Sequence, residues 1–411
     1  MRYPIVAACC IAMICAFGGG CDDSPTTPAS IASEQSPWTP VLPPSVNEFG
    51  GVYALEVHEG ELYAAGNVHV AGNSIGFVSS GSLTGDWNLL GQTDRYITSM
   101  VSHAGSLFLG GGFSEVFNGW LHDEAELIGR YTLGHWYSVG FYPQDPDAVM
   151  SVLTLSSVQG QLLAGGVFTA AFNYPGDYIS RWDGSGWLPL PGLLPEGEFG
   201  IGEVESICEF NGQIVVGGLF TTAEHADGSV NVARWSVGNW IPLSSETDGI
   251  VSALCVHDGK LIAGGSLSSI DGTPVNEIAA WDGVAWEPLE GGLVDADTTD
   301  NLGSSVYTVV SFNGDLVVGG YFAVATDPGI QNLAKWDGSA WSSMGVVANG
   351  VSDLCVLNGT LVACGSFLIE GEESLIAYWE PGTATFASAL QSRECADMAK
   401  GVALPQGQRF K

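Results

Sequence analysis

The side chains of this chain best supplied for chemistry are carboxylates. Its 411 residues carry 45 Asp+Glu against 11 Lys+Arg, a formal net charge of −34. They gather in groups: Asp123, Glu124 and Glu126; Glu196, Glu198 and Glu203; Glu224 and Asp227; Asp295, Asp297 and Asp300. Such groups can act as general acid and base on a glycosidic bond, offer oxygen ligands to a hard cation, or draw in a basic partner. The run Asp295-Ala296-Asp297-Thr298-Thr299-Asp300-Asn301 makes calcium a cofactor to test. It lacks the spacing and closing glutamate of an EF-hand loop. A surface this acidic repels phosphate backbones, which excludes nucleic acid as a partner.

Other chemistry-bearing patterns are thinner. Gly72-Asn73-Ser74-Ile75-Gly76 matches the Gly-x-Ser-x-Gly nucleophile pattern. That elbow needs a strand-to-helix turn in an α/β sheet, and this stretch sits between β-type segments. No catalytic residue is assigned.

The elements that must position these groups are repeats. Segments equivalent to residues 251–265 begin at Val52, Ile97, Val152, Val204, Val251, Val306 and Val351, and end at Gly66, Gly111, Gly166, Gly218, Gly265, Gly320 and Gly365. The spacing is 45 to 55 residues. Each unit reads as four strands. The first ends in Asn211-Gly212, Asp258-Gly259, Asn313-Gly314 or Asn358-Gly359, pairs favoured in type I′ hairpins. The second carries a double glycine, the mark of close backbone approach. The third ends on Trp182, Trp235, Trp281, Trp336 or Trp379, with Tyr131 in the second unit, and Trp187, Trp240, Trp286 and Trp341 open the fourth.

Four-stranded units of this length are propeller blades. The sequence therefore predicts an all-β fold: a seven-bladed β-propeller of four-stranded antiparallel blades over residues 37–387. The diglycine and paired aromatics resemble kelch-type propellers, and more closely the secreted bacterial repeat proteins with Leu-x-x-Gly-Gly-x-Phe and Trp-Asp-Gly-x-x-Trp in each blade. Residues 162–168 with 182–187, and 316–322 with 336–341, show both parts. The resemblance implies fold and says little of function. The first unit departs most, with Ala65-Gly66 for the diglycine. Trp38-Thr39-Pro40-Val41-Leu42 looks like a fourth strand without its blade, so residues 37–42 are expected to complete the blade of residues 351–379; the rival is closure by the Phe386 region.

Several residue types recur in fixed slots. His58, His103 and His257 share a position that other units fill with hydrophobes, which favours packing over a metal ring. Cys208, Cys255 and Cys355 share another and are expected to be buried free thiols. Arg130, Arg181, Arg234 and Lys335 precede the third-strand aromatic, a slot suited to an ion pair or stacking within each blade.

Arg2, the apolar residues 5–17 and Gly18-Gly19-Gly20-Cys21 make residues 1–21 a lipoprotein-type signal peptide with Cys21 as the acylated mature N-terminus. Residues 22–36 are a flexible tether and 388–411 a loose tail. The expected location is the bacterial cell envelope, with membrane contact through the N-terminal lipid alone and a monomeric domain facing the periplasm or exterior.

In a propeller the loops joining strands one to two and three to four share one face. Here they are minimal, while length and acidic charge fall on the opposite face, in segments such as 113–127, 191–203, 221–231 and 290–305. Long loops on a rigid scaffold are where recognition sits. The expectation is a binding or scaffold module for a protein or glycan, with Glu196, Glu198, Glu224, Asp227, Asp295, Asp297 and Asp300 as ligand-binding residues. The alternative is a carbohydrate-active hydrolase or lyase on the same platform.

Overall fold

The computed structural model describes residues 38–41, 50–70, 73–83, 87–118, 121–124, 126–140, 150–168, 178–195, 202–223, 229–296, 303–344, 350–369 and 372–379. Among them there are strands and turns and no helix, hence none long and apolar enough to cross a membrane. Residues 1–21 with Cys21, the 22–36 segment and the 388–411 segment lie outside the described residues.

Seven antiparallel sheets form the blades of a propeller. Blade four is representative, with strands Glu203–Phe210, Gln213–Leu219, Val232–Ser236 and Asn239–Pro242 in sequential order. The first strands pack side by side, the seventh against the first, and so close a ring about an axis. The apolar core is divided into seven clusters, each drawn mainly from two neighbouring blades; Leu163 of blade three, for example, lies with Val204 and Trp240 of blade four.

All seven first hairpins turn through two residues with positive φ, from Glu59-Gly60 to Asn358-Gly359. This is the type I′ geometry expected of Asn-Gly and Asp-Gly. Blades one to three place Glu59, Ala104 and Gln159 at the first position instead.

The diglycine has two separate causes. A Cβ on its first residue would meet the next blade: Gly217 faces Val251 Cγ1 at 2.5 Å and Gly319 faces Val351 Cγ1 at 2.7 Å. A Cβ on its second would meet the first strand of its own blade, 2.0 Å from the Glu203 carbonyl at Gly218 and 1.9 Å from that of Ile250 at Gly265. The second contact arises because every first strand is bulged. Register slips between Val52 and Ala54, Val204 and Ser206, Val351 and Asp353, and at the matching place in the other four blades. The extra residue in each strand, such as Glu205, falls just past that contact and bends the strand there.

The paired aromatics have a polar role as well as an apolar one. Trp182–Trp187, Trp235–Trp240, Trp281–Trp286 and Trp336–Trp341 pack with ring centroids 5.0 to 5.4 Å apart. Five of the fourth-strand indoles also donate Nε1–H to a carbonyl of the preceding blade: Trp136 to Leu90, Trp187 to Val139, Trp240 to Leu190, Trp286 to Leu243 and Trp341 to Glu290, at 2.5 to 3.1 Å.

Strand Trp38–Val41 pairs antiparallel with Glu372–Trp379, from Trp38 opposite Trp379 to Val41 opposite Ile376. The chain thus supplies the outer strand of the seventh blade from its N-terminal side. The described parts of several long connections stitch blades together. Leu193–Leu194 pairs with Thr221–Thr222, Leu293–Val294 with the end of Asp315–Val324, and a hairpin of Glu115–Asn118 and Leu121–Glu124 extends the edge of blade one.

Candidate functional site

The bulge that displaces each first strand also sets what faces the axis. The bulged residues are Tyr53, Thr98, Leu153, Glu205, Ser252, Tyr307 and Ser352. All but Leu153 line a central cavity of about 280 Å³, together with the residues that follow them, among them Ser99, Ser206, Thr308 and Asp353. First strands enter from the blade-to-blade connections, and these residues stand near their starts. The cavity therefore lies toward the long-loop end of the axis.

Its lining is polar. Eight of its sixteen residues carry hydroxyls, two carry carboxyls, and none is Lys, Arg or His. Part of this polarity also ties blades together. Ser99 Oγ accepts the Leu155 N–H at 2.9 Å, Ser206 Oγ that of Leu254 at 3.0 Å, and Asp353 Oδ2 that of Leu55 at 2.8 Å. One slot thus latches blade two to three, four to five, and seven to one. Thr98 Oγ1 donates to the Val152 carbonyl at 2.5 Å across the same seam as Ser99.

Three carboxyls of the first strands, Asp353, Glu56 and Glu203, hold their protons unusually well. Burial pushes Asp353 up to about 6, against the pull of the Leu55 and Leu354 N–H groups and the Thr308 hydroxyl. Glu56, on the same seam, is raised to about 7 by burial and further by the charge of Asp353, while N–H groups of Ser102 and Val57 oppose the rise. Glu203, 1% exposed, is raised to about 9, first by burial and then by Glu205, with which it shares a hydrogen bond. Burial in low dielectric disfavours the charged form, and a second carboxylate adds to that.

Of the acidic residues expected to bind ligand, Asp295 alone lies among the described residues. It sits close enough for its charge to raise Glu277, a buried carboxyl pushed up to about 7 chiefly by burial while accepting from Ser304 Oγ and the Leu267 N–H. Glu196, Glu198, Glu224, Asp227, Asp297 and Asp300 lie outside the described residues. Among the described residues no group of three or more His, Cys, Asp or Glu is placed to hold a metal.

The recurrent slots resolve into packing devices. The three histidines hydrogen-bond, through Nδ1, the next blade: His58 to Ser102, His103 to Ser157 and His257 to Ser311, at 2.8 to 2.9 Å. Cys208, Cys255, Cys355 and Cys364 are free thiols, raised by burial, Cys208 and Cys255 to about 12. Arg234 reaches Gln213 at 2.6 Å, Arg181 reaches Gln161, Lys335 pairs with Asp315 at 2.6 Å, and Arg130 bonds Ser106 and stands over Phe108, all within their own blades. Ser74, of the apparent nucleophile pattern, accepts from Asn67 Nδ2 on a β-strand.

Sequence reasoning missed Glu205, Glu56 and Asp353, and it read Glu203 as an acidic loop residue where the structure buries it at the start of strand Glu203–Phe210. The signal was available: just past the recurrent Val, two slots vary from Tyr to Glu to Ser while their flanks stay constant. Alternation alone does not reveal that a bulge turns both toward the axis.

No protein-family profile matches this chain, and no curated protein matches its sequence. Solved propellers do match it. The Dos1 propeller shares 9% identity at a TM-score of 0.43, covering 87% of this chain and 99% of that one. The Pyrococcus horikoshii acylaminoacyl peptidase shares 11% at 0.42, with 86% and 54% covered. The extracellular domain of BT4673 from B. thetaiotaomicron shares 11% at 0.33, with 83% and 52% covered. The chain spans about half the length of the last two. Likeness at this level carries no argument about what the chain does, so the chemistry of the site is read from its own residues.

Proposed function

We propose that this chain is an exported, lipid-anchored binding module of the bacterial cell envelope, held at a membrane through Cys21. It recognises a protein or glycan through the acidic long-loop end of the propeller. The observation that carries the reading is the axial cavity at that end: a polar hollow built from six blades, walled by a rigid ring and surrounded by the connections that vary most in length. Pockets of this kind, concave and preformed with convergent polar groups, are where ligands bind.

A hydrolase or lyase is the second reading, favoured by the presence of Glu205 and Asp353 in one cavity wall. Against it, both carboxyls are committed within the protein: Asp353 accepts from the Leu55 and Leu354 N–H groups and the Thr308 hydroxyl, and Glu205 shares a hydrogen bond with Glu203. The test is a screen of the full chain on glycan and envelope-protein arrays with and without calcium, each hit measured by calorimetry. A saturable ligand that is released unchanged supports the module. Turnover of that ligand supports the enzyme.

A further inference from the structure

We infer that the axial cavity is a binding site for a neutral, polyhydroxylated ligand, a single sugar unit or the end of a glycan; the inference deepens the proposed recognition role and rests on it. Donors and acceptors in the lining select the ligand. Ser99 and Ser206 each spend an acceptor lone pair on an N–H of the next blade. A hydroxyl that accepts in this way keeps its own proton to donate. Glu205 and Asp353 contribute carboxyl oxygens. Those of Asp353 already accept from the Leu55 and Leu354 N–H groups and the Thr308 hydroxyl, and a carboxylate with about four lone-pair sites keeps capacity for one more donor. The wall therefore presents donors and acceptors side by side at one depth, and a ligand hydroxyl is the group that answers both.

Charged ligands fit less well. An anion meets two carboxyls and no cation in the lining. A cation would satisfy the acceptors but leave the serine hydroxyl protons without a partner. The volume of about 280 Å³ sits at the small end of ligand pockets, the size of a sugar unit rather than a long chain. The bulge explains why such a site can vary independently of the fold: Tyr, Thr, Leu, Glu and Ser occupy equivalent positions without altering the blade.

The test titrates the full chain by calorimetry with glucose, galactose, mannose and N-acetylglucosamine, and with glucuronate, arginine and calcium chloride as charged controls. Two variants accompany it. Ser252→Trp plugs the cavity at a slot that carries tyrosine in blades one and six; Glu205→Gln keeps the shape and removes the charge. Both are checked for unchanged thermal unfolding. The expected result is saturable binding of at least one neutral sugar, weakened at least about tenfold, or 1.4 kcal/mol, by Ser252→Trp. Should the plugged protein not fold, Glu205→Gln carries the test with the same expected weakening. Absence of saturable binding by all four sugars overturns the inference, as does binding that neither variant changes, or tighter cavity-dependent binding of glucuronate, arginine or calcium. An array ligand that depends on the loops but is indifferent to both cavity variants would sink the axial site and leave the recognition role standing.

Discussion

Asp353 in the last blade accepts the backbone N–H of Leu55 in the first, 2.8 Å across the seam where the ring closes. The same seam is held at the rim by strand Trp38–Val41, so closure has an inner latch and an outer one. The inner latch uses the slot that holds Ser99 and Ser206 at two other seams, with a carboxyl in place of a hydroxyl.

This equivalence predicts a graded mutant series. Asp353→Ala leaves the Leu55 N–H without its acceptor and should cost about 1–3 kcal/mol. Asp353→Ser restores the acceptor used elsewhere in the ring and removes a carboxyl held at about 6, so at pH 8 it should match or exceed the wild type. Urea unfolding midpoints decide the matter. Equal losses for both variants would show that the slot does not carry the closure.

Four buried carboxyls give the protein an inverted pH response. Glu203 is raised from 4.5 to about 9, Glu56 and Glu277 from 4.5 to about 7, and Asp353 from 3.8 to about 6. For a raised acid the native state binds the proton more tightly than the unfolded chain. Its stabilisation is complete below the unfolded value and is lost as pH climbs through the folded one. The melting temperature should therefore rise as pH falls from about 9 to about 5, and relief of the acidic self-repulsion acts in the same direction. Differential scanning fluorimetry across that range would refute this by showing a flat or falling midpoint. The lowered carboxyls of Asp183, Asp282 and Asp337 are exposed turn caps and act only below this window.

The diglycine should be intolerant for steric reasons, and a turn glycine tolerant by comparison. Gly218→Ala drives a Cβ to 2.0 Å from the Glu203 carbonyl, against backbone that cannot swing aside. A loss of about 3 kcal/mol is expected. Gly212→Ala meets nothing within 4 Å and pays only for its φ of +74°, about 1 kcal/mol. Comparable losses in the two would contradict the bulge account.

The indole latches can be separated from indole packing. Trp240→Phe removes the 3.0 Å bond to the Leu190 carbonyl. Trp87 is buried with no partner for Nε1 among the described residues. Trp87→Phe then loses packing alone, and Trp240→Phe should be the costlier by about 1 kcal/mol. Chemical denaturation of the pair measures the difference, and equality would mean the bond contributes nothing net.

Much of the fold was legible because its repeats restate it seven times: hairpin pairs, diglycine and aromatics fall at fixed offsets, and Trp38-Thr39-Pro40 advertised an outer strand in search of a blade. The site was much less so. Acidic loops drew attention because charge is visible in sequence, whereas Asp353 and Glu205 looked like ordinary strand residues. Only the bulge, a register fault of one residue, places them at the axis, and period-two reasoning is blind to it. The histidines share a slot with hydrophobes, yet their Ser102, Ser157 and Ser311 partners lie one blade onward, a relation that appears only once the blades are set side by side.

The central claim is that recognition belongs to the long-loop end. The most direct measurement compares ligand affinity, for whichever array ligand is found, between two charge-reversed proteins. One carries Glu196→Lys, Glu198→Lys, Glu224→Lys and Asp227→Lys. The other carries Glu59→Lys and Asp258→Lys on exposed first-hairpin turns at the opposite end. The account predicts that the first loses at least about tenfold in affinity while the second is unchanged. Loss confined to the second protein would place recognition on the short-turn face and contradict it.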